Sequence, residues 1–170
     1  MATRGDTTHI PRVYSLVRRY LKTAIAFLGV GLAIGAWMMA ERDLLGWAPN
    51  PYEQSAHTHA ILVGFVMMMI LGVALWLFPR PDKQDQRYKP GLVLTAYWLL
   101  TAGTAARVLG ELTEAIGGSA GNTDASLWLR TVVVSAGLAQ IAGLVLFFLT
   151  MWSRIRALGS AARERAGERF

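Results

Sequence analysis

Four long apolar runs, separated by charged segments, constrain this chain more than any other feature of its sequence. They cover residues 21–40, 57–78, 91–109 and 127–152. At a rise of about 1.5 Å per residue, each run is long enough to cross a hydrocarbon core roughly 30 Å thick. A soluble helical bundle would carry a polar stripe along every helix, and these runs carry no charged stripe. The sequence therefore predicts an all-α integral membrane protein built as a bundle of four transmembrane helices.

The basic residues are concentrated on one side of this four-span arrangement. Fourteen of the 17 Lys and Arg residues lie before residue 23, between residues 79 and 90, or after Ser153. The other side carries Arg42, Arg107 and Arg130, together with six acidic residues. Because cytoplasmic loops of membrane proteins carry an excess of Lys and Arg, both termini are predicted to be cytoplasmic. The chain is then a multi-pass protein of the inner cell membrane.

This topology divides the chain into three parts. Residues 1–20 are expected to form a cytoplasmic segment, in which an amphipathic helix lies on the membrane surface with Leu16, Val17 and Tyr20 on its apolar face. Residues 21–152 form the membrane domain, and residues 153–170 form a basic cytoplasmic tail. The connection 41–56 contains two prolines and is expected to be a turn without a helix of its own. The net charge of +6 is attributed to contact with anionic membrane lipid and not to nucleic acid.

The absence of cysteine excludes several classes of cofactor site. Disulfides, iron–sulfur clusters, thiolate metal sites and covalently attached haem all require cysteine, and the chain has none. The sequence also shows no nucleophile–base pair and no paired intramembrane carboxylates. No enzymatic activity is therefore predicted from the residues themselves.

Two of the three histidines stand at the start of the second apolar run, in Ala56-His57-Thr58-His59-Ala60. A histidine inside a membrane usually has a polar partner or a metal, whereas His9 in the polar N-terminal stretch is expected to be solvated. In a regular helix, His57 and His59 point about 200° apart. Both could bind one ion only if the helix began after His57. Ala60 and Gly64 form a small-residue groove beside His57 that would fit a flat cofactor or a close helix.

Other polar groups are expected at the membrane level of these histidines. Neutral imidazole is a ligand for haem iron, copper or zinc, so His57 and His59 are the candidate metal ligands. Arg107 and Arg130 are candidates to neutralise the propionates of a haem b, although Arg107 could instead reach water or pair with Glu111. Met38 and Met39 are predicted at a similar depth. A haem b held there would carry an electron or bind a diatomic gas.

The second apolar run begins with His57-Thr58-His59-Ala60-Ile61-Leu62-Val63-Gly64-Phe65 and ends with Phe78-Pro79-Arg80. This run resembles the second transmembrane helix of subunit I in the haem–copper oxidase superfamily. That superfamily includes the nitric oxide reductase large subunit and its small stand-alone relatives. In that family a histidine at the outer end of this helix is an axial ligand of the low-spin haem. The resemblance implies this role for His57 or His59. Full-length members supply the other metal ligands from later helices, so the resemblance implies one haem here and not the oxygen-reducing centre.

These observations predict a membrane haem b protein for electron transfer or for binding a diatomic gas. Its second axial ligand would be Met38, Met39 or a histidine of another subunit, or the iron would stay five-coordinate. The motif Gly31-x-x-x-Gly35 allows close helix contact and favours a homo-oligomer. The redox partner would be a quinol or a periplasmic redox protein. The alternatives are a copper or zinc site that uses both histidines, and an accessory membrane subunit without a cofactor.

Overall fold

A computed structural model describes residues 10–48, 50–78, 90–117 and 123–155. All regular structure in these ranges is helical. The first helix, α1, is Ile10–Ala40 and continues as a π-helical segment, Glu41–Leu45. The second rod consists of α2 (Pro51–His59), a π-helical stretch (Ala60–Met67) and α3 (Met68–Leu77). The last two helices are α4 (Pro90–Gly117) and α5 (Thr123–Met151), the latter followed by a 3-10 turn, Trp152–Arg154.

Four helical segments of the described chain are long and apolar enough to cross a membrane. They are Ser15–Leu45, Pro51–Leu77, Gly91–Gly117 and Leu127–Met151. The predicted all-α architecture with four spans is therefore confirmed. The cytoplasmic placement of the termini stays a prediction. His9, most of the basic connection 79–90 and the basic tail after Ile155 lie outside the described residues.

The connection between the first two spans is shorter than the sequence predicts. Residues 41–45 continue α1, and the second rod begins at Pro51, six residues before His57. The Asn50 side chain accepts a hydrogen bond from the Tyr52 backbone N–H at 3.0 Å, which caps this helix. Proline lacks the N–H that the first helical position leaves unpaired, so Pro51 starts the helix and does not break it. The expectation that residues 41–56 form a turn without a helix is wrong.

All four spans meet in one core at the end of the bundle away from the histidines, which we call the opposite end. The fully buried Tyr20 ring of α1 packs edge to face on Tyr97 of α4, with centroids 5.1 Å apart, and on Phe147 of α5, at 5.9 Å. The Tyr20 hydroxyl donates to the Val93 carbonyl at 3.3 Å, and Thr23 shares a 2.8 Å hydrogen bond with the Tyr97 hydroxyl. These contacts tie α1 to α4 at this level of the bundle.

The first turns of α1 belong to this core. Leu16, Val17 and Tyr20 are all buried in it. The expected amphipathic helix on the membrane surface is therefore wrong, because its apolar face packs against the other spans and α1 runs without a break from Ile10.

Small residues let α1 approach the second rod closely at the other end, which we call the histidine end. A Cβ atom added to Gly64 would lie 2.5 Å from Cγ of Phe27, and one added to Gly35 would lie 2.9 Å from Cε1 of His57. Gly31 packs on Ala60 and Ile61. The Gly31-x-x-x-Gly35 motif thus serves close helix contact as predicted, but within the chain.

The groove predicted beside His57 is filled in the same way. Ala60 and Gly64 are both buried, and Phe27 of α1 occupies the space over Gly64. Of the two occupants that the sequence allowed, a flat cofactor or a close helix, the structure has the helix. Any room for a cofactor beside His57 must therefore lie elsewhere.

The last two spans are joined by a hydrogen bond between side chains. The buried Gln140 of α5 donates from Nε2 to Oγ1 of Thr104 on α4 at 3.0 Å. The amide thus faces a neighbouring helix, as a polar side chain inside a membrane is expected to do. Gly103 makes the approach possible, since a Cβ there would come within 2.9 Å of the Ala136 carbonyl oxygen.

Arg154 closes the opposite end of the second rod. The sequence analysis assigns Arg154 to the basic cytoplasmic tail, yet only 3% of this residue is exposed. The guanidinium donates to the backbone carbonyls of Leu75 at 3.4 Å and Phe78 at 2.9 Å. These carbonyls belong to the last turn of the rod, where a cation offsets the helix dipole.

The packing over Gly64 predicts a specific loss of stability. We expect Gly64→Ala to lower the free energy of unfolding by about 1–3 kcal/mol, because the new methyl group forces α1 away from the second rod. Gly29→Ala is the matched control, since a Cβ there meets no atom within 4 Å and alanine favours the helix. Thermal unfolding of the two detergent-purified variants compares them. Equal midpoints would contradict the packing.

Candidate cofactor site at the histidine end

His57 lies between the second rod and α1. Its Nδ1 atom is 2.9 Å from the backbone carbonyl oxygen of Gly31. A carbonyl oxygen only accepts hydrogen bonds, so Nδ1 carries the proton and the free lone pair of the neutral ring is on Nε2. A backbone carbonyl behind the imidazole is the usual support of a metal-bound histidine. His57 is therefore held in the tautomer that a metal ligand needs.

A groove of about 560 Å³ runs beside His57 along α1. Its apolar and sulfur-containing wall consists of Leu32, Gly35, Ala36, Met38, Met39 and Trp47. Its polar groups are Glu41, Arg42, Asn50, Glu53 and His57. The glycine at position 35 leaves the space that a side chain would fill against the imidazole. The structure thus brings His57 together with the two methionines that the sequence places at its depth.

His59 points toward α4. Its Nδ1 is 2.8 Å from the Ser55 carbonyl oxygen and 3.5 Å from Oε2 of Glu111. The Ser55 hydroxyl donates to Oε1 of Glu111 at 2.8 Å, and Arg107 Nε donates to the same oxygen at 3.1 Å. Glu111, only 3% exposed, therefore has a cation and a hydroxyl donor. Of the roles considered for Arg107, the structure shows the pairing with Glu111.

The two histidines point to different helices, as the helical geometry predicts. A shared copper or zinc ion required the helix to begin after His57, and it begins at Pro51. Within the described ranges, no three His, Cys, Asp or Glu side chains are grouped so that they could hold a metal ion. The structure does not meet the condition for a joint His57–His59 metal site.

The predicted arginines do not reach the His57 groove. Arg107 is held by Glu111 and lies against Gly137 of α5, where a Cβ would come within 2.7 Å of its Nη1. Arg130 is exposed on α5, and it has no hydrogen bond or ion pair with either histidine. The arginine that lines the groove is Arg42, which pairs with Asp43 at 2.7 Å. It was overlooked because residues 41–45 were expected in an irregular turn.

The sequence analysis also did not predict that Glu53 and Glu41 line this groove. Glu53 lies one helical turn before His57, is 8% exposed and lines the same groove. Its carboxyl group lies close to that of Glu41 and to the Trp37 side chain. The Asn50-Pro51 start of a helix was the signal that could have placed Glu53 on the face of His57.

The residues around the His57 groove fit a haem. His57 offers Nε2, and the thioethers of Met38 and Met39 are the softer second ligand that haem iron also accepts. The walls are apolar, and the Arg42 guanidinium at the rim can pair with a carboxylate. The volume of about 560 Å³ falls within the range of about 300–1,000 Å³ that is usual for small-molecule sites.

Comparison with known proteins gives one family. The family described as Cytochrome C and Quinol oxidase polypeptide I matches residues 15–163. The Cbb3-type cytochrome c oxidase subunit CcoN1 of Stutzerimonas stutzeri is 31% identical over 88 residues, which are 52% of this chain and 18% of that protein. The match thus spans less than a fifth of that subunit. No solved structure matches significantly.

The family match extends over all four described spans, well beyond the second rod on which the resemblance was first seen. Together with the four apolar helices, it makes this a multi-pass membrane protein. The chain belongs to the cytochrome c and quinol oxidase polypeptide I family, the subunit I family of the haem–copper oxidases.

Proposed function

We propose that this protein binds one haem b at the histidine end and uses it to transfer electrons or to bind a diatomic gas. The observation that carries the proposal is the His57 ring, fixed through Nδ1 by the Gly31 carbonyl on the wall of an apolar groove. The family match supports haem as the group that would occupy this groove. When bound, haem supplies a one-electron redox centre or an iron that binds gas.

His57 is the better candidate for the axial ligand. In both rings Nδ1 lies close to a backbone carbonyl oxygen. The two histidines therefore have the same tautomer, and the tautomer does not show which of them is the ligand. His57 lines the groove, whereas His59 lies beside Glu111 in a polar contact with α4. A ligand also needs space beside the ring, and the groove that His57 lines provides it.

Met38 is the proposed second axial ligand. It lines the same groove as His57 and is half-buried, whereas Met39 is 60% exposed. The alternatives to a methionine ligand are a histidine from another subunit or an iron that stays five-coordinate. Because Gly31 and Gly35 already pack on the second rod, this motif no longer supports the proposed homo-oligomer, which the site requires only if a histidine of another subunit is the second ligand.

The histidine end is proposed to face the outer side of the inner membrane, following the distribution of basic residues. A quinol in the membrane or a periplasmic redox protein would then exchange electrons with it. The second candidate function is an accessory subunit without a cofactor. The Nδ1 hydrogen bonds of both histidines are equally compatible with it, because they also satisfy a histidine that has only a structural role.

Single substitutions of the histidines test the ligand. We expect His57→Ala to abolish the Soret band of the purified protein, because the iron loses its ligand in the groove. His59→Ala is the matched control, because His59 is two residues further along the same helix and points toward α4. This variant should keep the band. The measurement is the absorption spectrum of protein from haem-replete cells. Loss of the band in His59→Ala alone would contradict the assignment to His57, and a band in both variants would reject the site.

Replacing methionine by leucine tests the second ligand, because leucine keeps the volume and removes the thioether. We expect Met38→Leu to convert a six-coordinate haem into one that binds carbon monoxide, while Met67→Leu, which is outside the groove, leaves the spectrum unchanged. Difference spectra of the reduced proteins with and without carbon monoxide measure this. Carbon monoxide binding by the unsubstituted protein would show that the site is open and that Met38 is not a ligand.

A further inference from the structure

A cluster of exposed cations lies on α1 at the opposite end of the bundle. It consists of Arg18, Arg19 and Lys22, which we call the α1 basic cluster, and all three residues are exposed. Lys22 is four residues from Arg18 and three from Arg19, so the three side chains are neighbours on one face of the helix. The other face of these turns is held in the core by the buried Val17 and Tyr20. The three cations therefore project from a part of α1 whose position is fixed.

The packing of Tyr20 places the basic cluster at a definite level of the bundle. The Tyr20 hydroxyl donates to the carbonyl of Val93, which lies in the first turn of the third span. The same core contains Leu75 and Met151, which lie in the last turns of the second and fourth spans. The basic cluster is thus level with the ends of the other three spans. Lipid headgroups begin where the apolar length of the spans ends.

The described part of the chain offers these cations no counter-ion. The side chains of the basic cluster have no ion pair with any described residue. Arg154 lies at the same end, but it is buried and donates to backbone carbonyls. The acidic residues whose side chains the structure describes all lie at the histidine end, and they are Glu41, Asp43, Glu53, Glu111 and Glu114. Because a cation beside hydrocarbon is costly without a partner, the basic cluster requires an anion from outside the chain.

A phospholipid can supply this anion at the right level. A guanidinium group binds a phosphate group through two parallel N–H bonds, and a lysine adds a point charge. Cations beside a membrane also attract lipids with a net negative charge. Past the cluster, the same face of α1 continues with Ile25, Ala26 and Gly29, which are exposed and uncharged. A Cβ added to Gly29 would meet no atom within 4 Å, so an acyl chain has room against the helix.

We propose that the α1 basic cluster binds the headgroup of an anionic phospholipid, whose acyl chain lies along the exposed face of α1 over Gly29. A lipid of the phosphatidylglycerol type fits, because its headgroup carries a phosphate and no cation. The headgroup of phosphatidylcholine carries a quaternary ammonium group, which the three cations repel. The net charge of the chain attracts anionic lipid in general, whereas this cluster holds one lipid molecule at a fixed position. The site is at the far end of the bundle from His57 and does not rest on haem binding.

Lipid competition tests the selectivity. Detergent-purified protein is incubated with equal amounts of phosphatidylglycerol and phosphatidylcholine, and the bound lipids are counted by native mass spectrometry. We expect a preference for phosphatidylglycerol that falls by up to about fivefold in each of Arg18→Gln, Arg19→Gln and Lys22→Gln. The triple glutamine variant should lose the preference. Equal binding of both lipids by the unsubstituted protein, or an undiminished preference in the triple variant, would overturn the site.

Two control variants separate this site from general attraction by charge. A triple variant with Arg18→Lys, Arg19→Lys and Lys22→Arg keeps the charges and should keep the preference. Arg130→Gln removes an exposed cation of α5 at the histidine end and should also keep it. A loss in Arg130→Gln as large as that in the single variants of the cluster would show general attraction and would overturn the site. A dimer that only the triple glutamine variant dissociates would assign this face to a second copy of the chain and would overturn it as well.

Inorganic phosphate tests whether the ligand is a lipid or a free anion. An equal concentration of inorganic phosphate should leave the phosphatidylglycerol bound, because phosphate has no acyl chain to lie against α1. Displacement of the lipid by phosphate would overturn the lipid site. Thermal unfolding in nanodiscs gives a second measurement, in which phosphatidylglycerol should raise the midpoint of the unsubstituted protein above its value in phosphatidylcholine. An equal rise in the triple glutamine variant would contradict binding at the cluster.

Discussion

The close packing of α1 on the second rod is the contact on which the candidate site depends. Gly31, Gly35 and Gly64 remove the side chains that would hold the two helices apart. Because the helices are close, the Gly31 carbonyl reaches Nδ1 of His57 at 2.9 Å. Gly35 and the ring both line the groove of about 560 Å³. Helix packing, tautomer and space for a ligand are thus consequences of one interface.

The second rod separates two polar environments at the histidine end. Toward α4, Glu111 is compensated by Arg107 and Ser55, with His59 beside it. Toward α1, His57 shares its groove with the buried Glu53. The first environment resembles a structural link between helices. The second combines an imidazole whose Nδ1 is held by a backbone carbonyl with an apolar groove and a buried carboxyl group.

The span pattern could be predicted from the sequence, because apolar length alone decides it. The opposite directions of His57 and His59 could also be predicted, because both lie in the regular α2. The backbone conformation of the residues that follow the histidines could not be predicted, because Ala60–Met67 is π-helical. Ala60, Gly64 and Met68, which are four residues apart, are buried in succession, and positions four apart share one face of an α-helix as well, so their burial could be expected while the π-helical backbone could not.

The partners of the charged residues could not be predicted for a different reason. Membrane depth follows from position in the sequence, but the helix that a side chain faces follows from packing. Arg107 and Arg130 lie at the expected end of the bundle, yet one pairs with Glu111 and the other is exposed. The positions of Arg42 and Glu53 in the groove could not be predicted because residues 41–56 were expected to form a turn without a helix.

The visible spectrum of the purified protein, oxidised and then reduced with dithionite, tests the central claim most directly. A haem held by His57 predicts a red or brown protein with a Soret band that shifts on reduction. A colourless protein from haem-replete cells would contradict the claim and would leave the packing of α1 on the second rod as a purely structural arrangement.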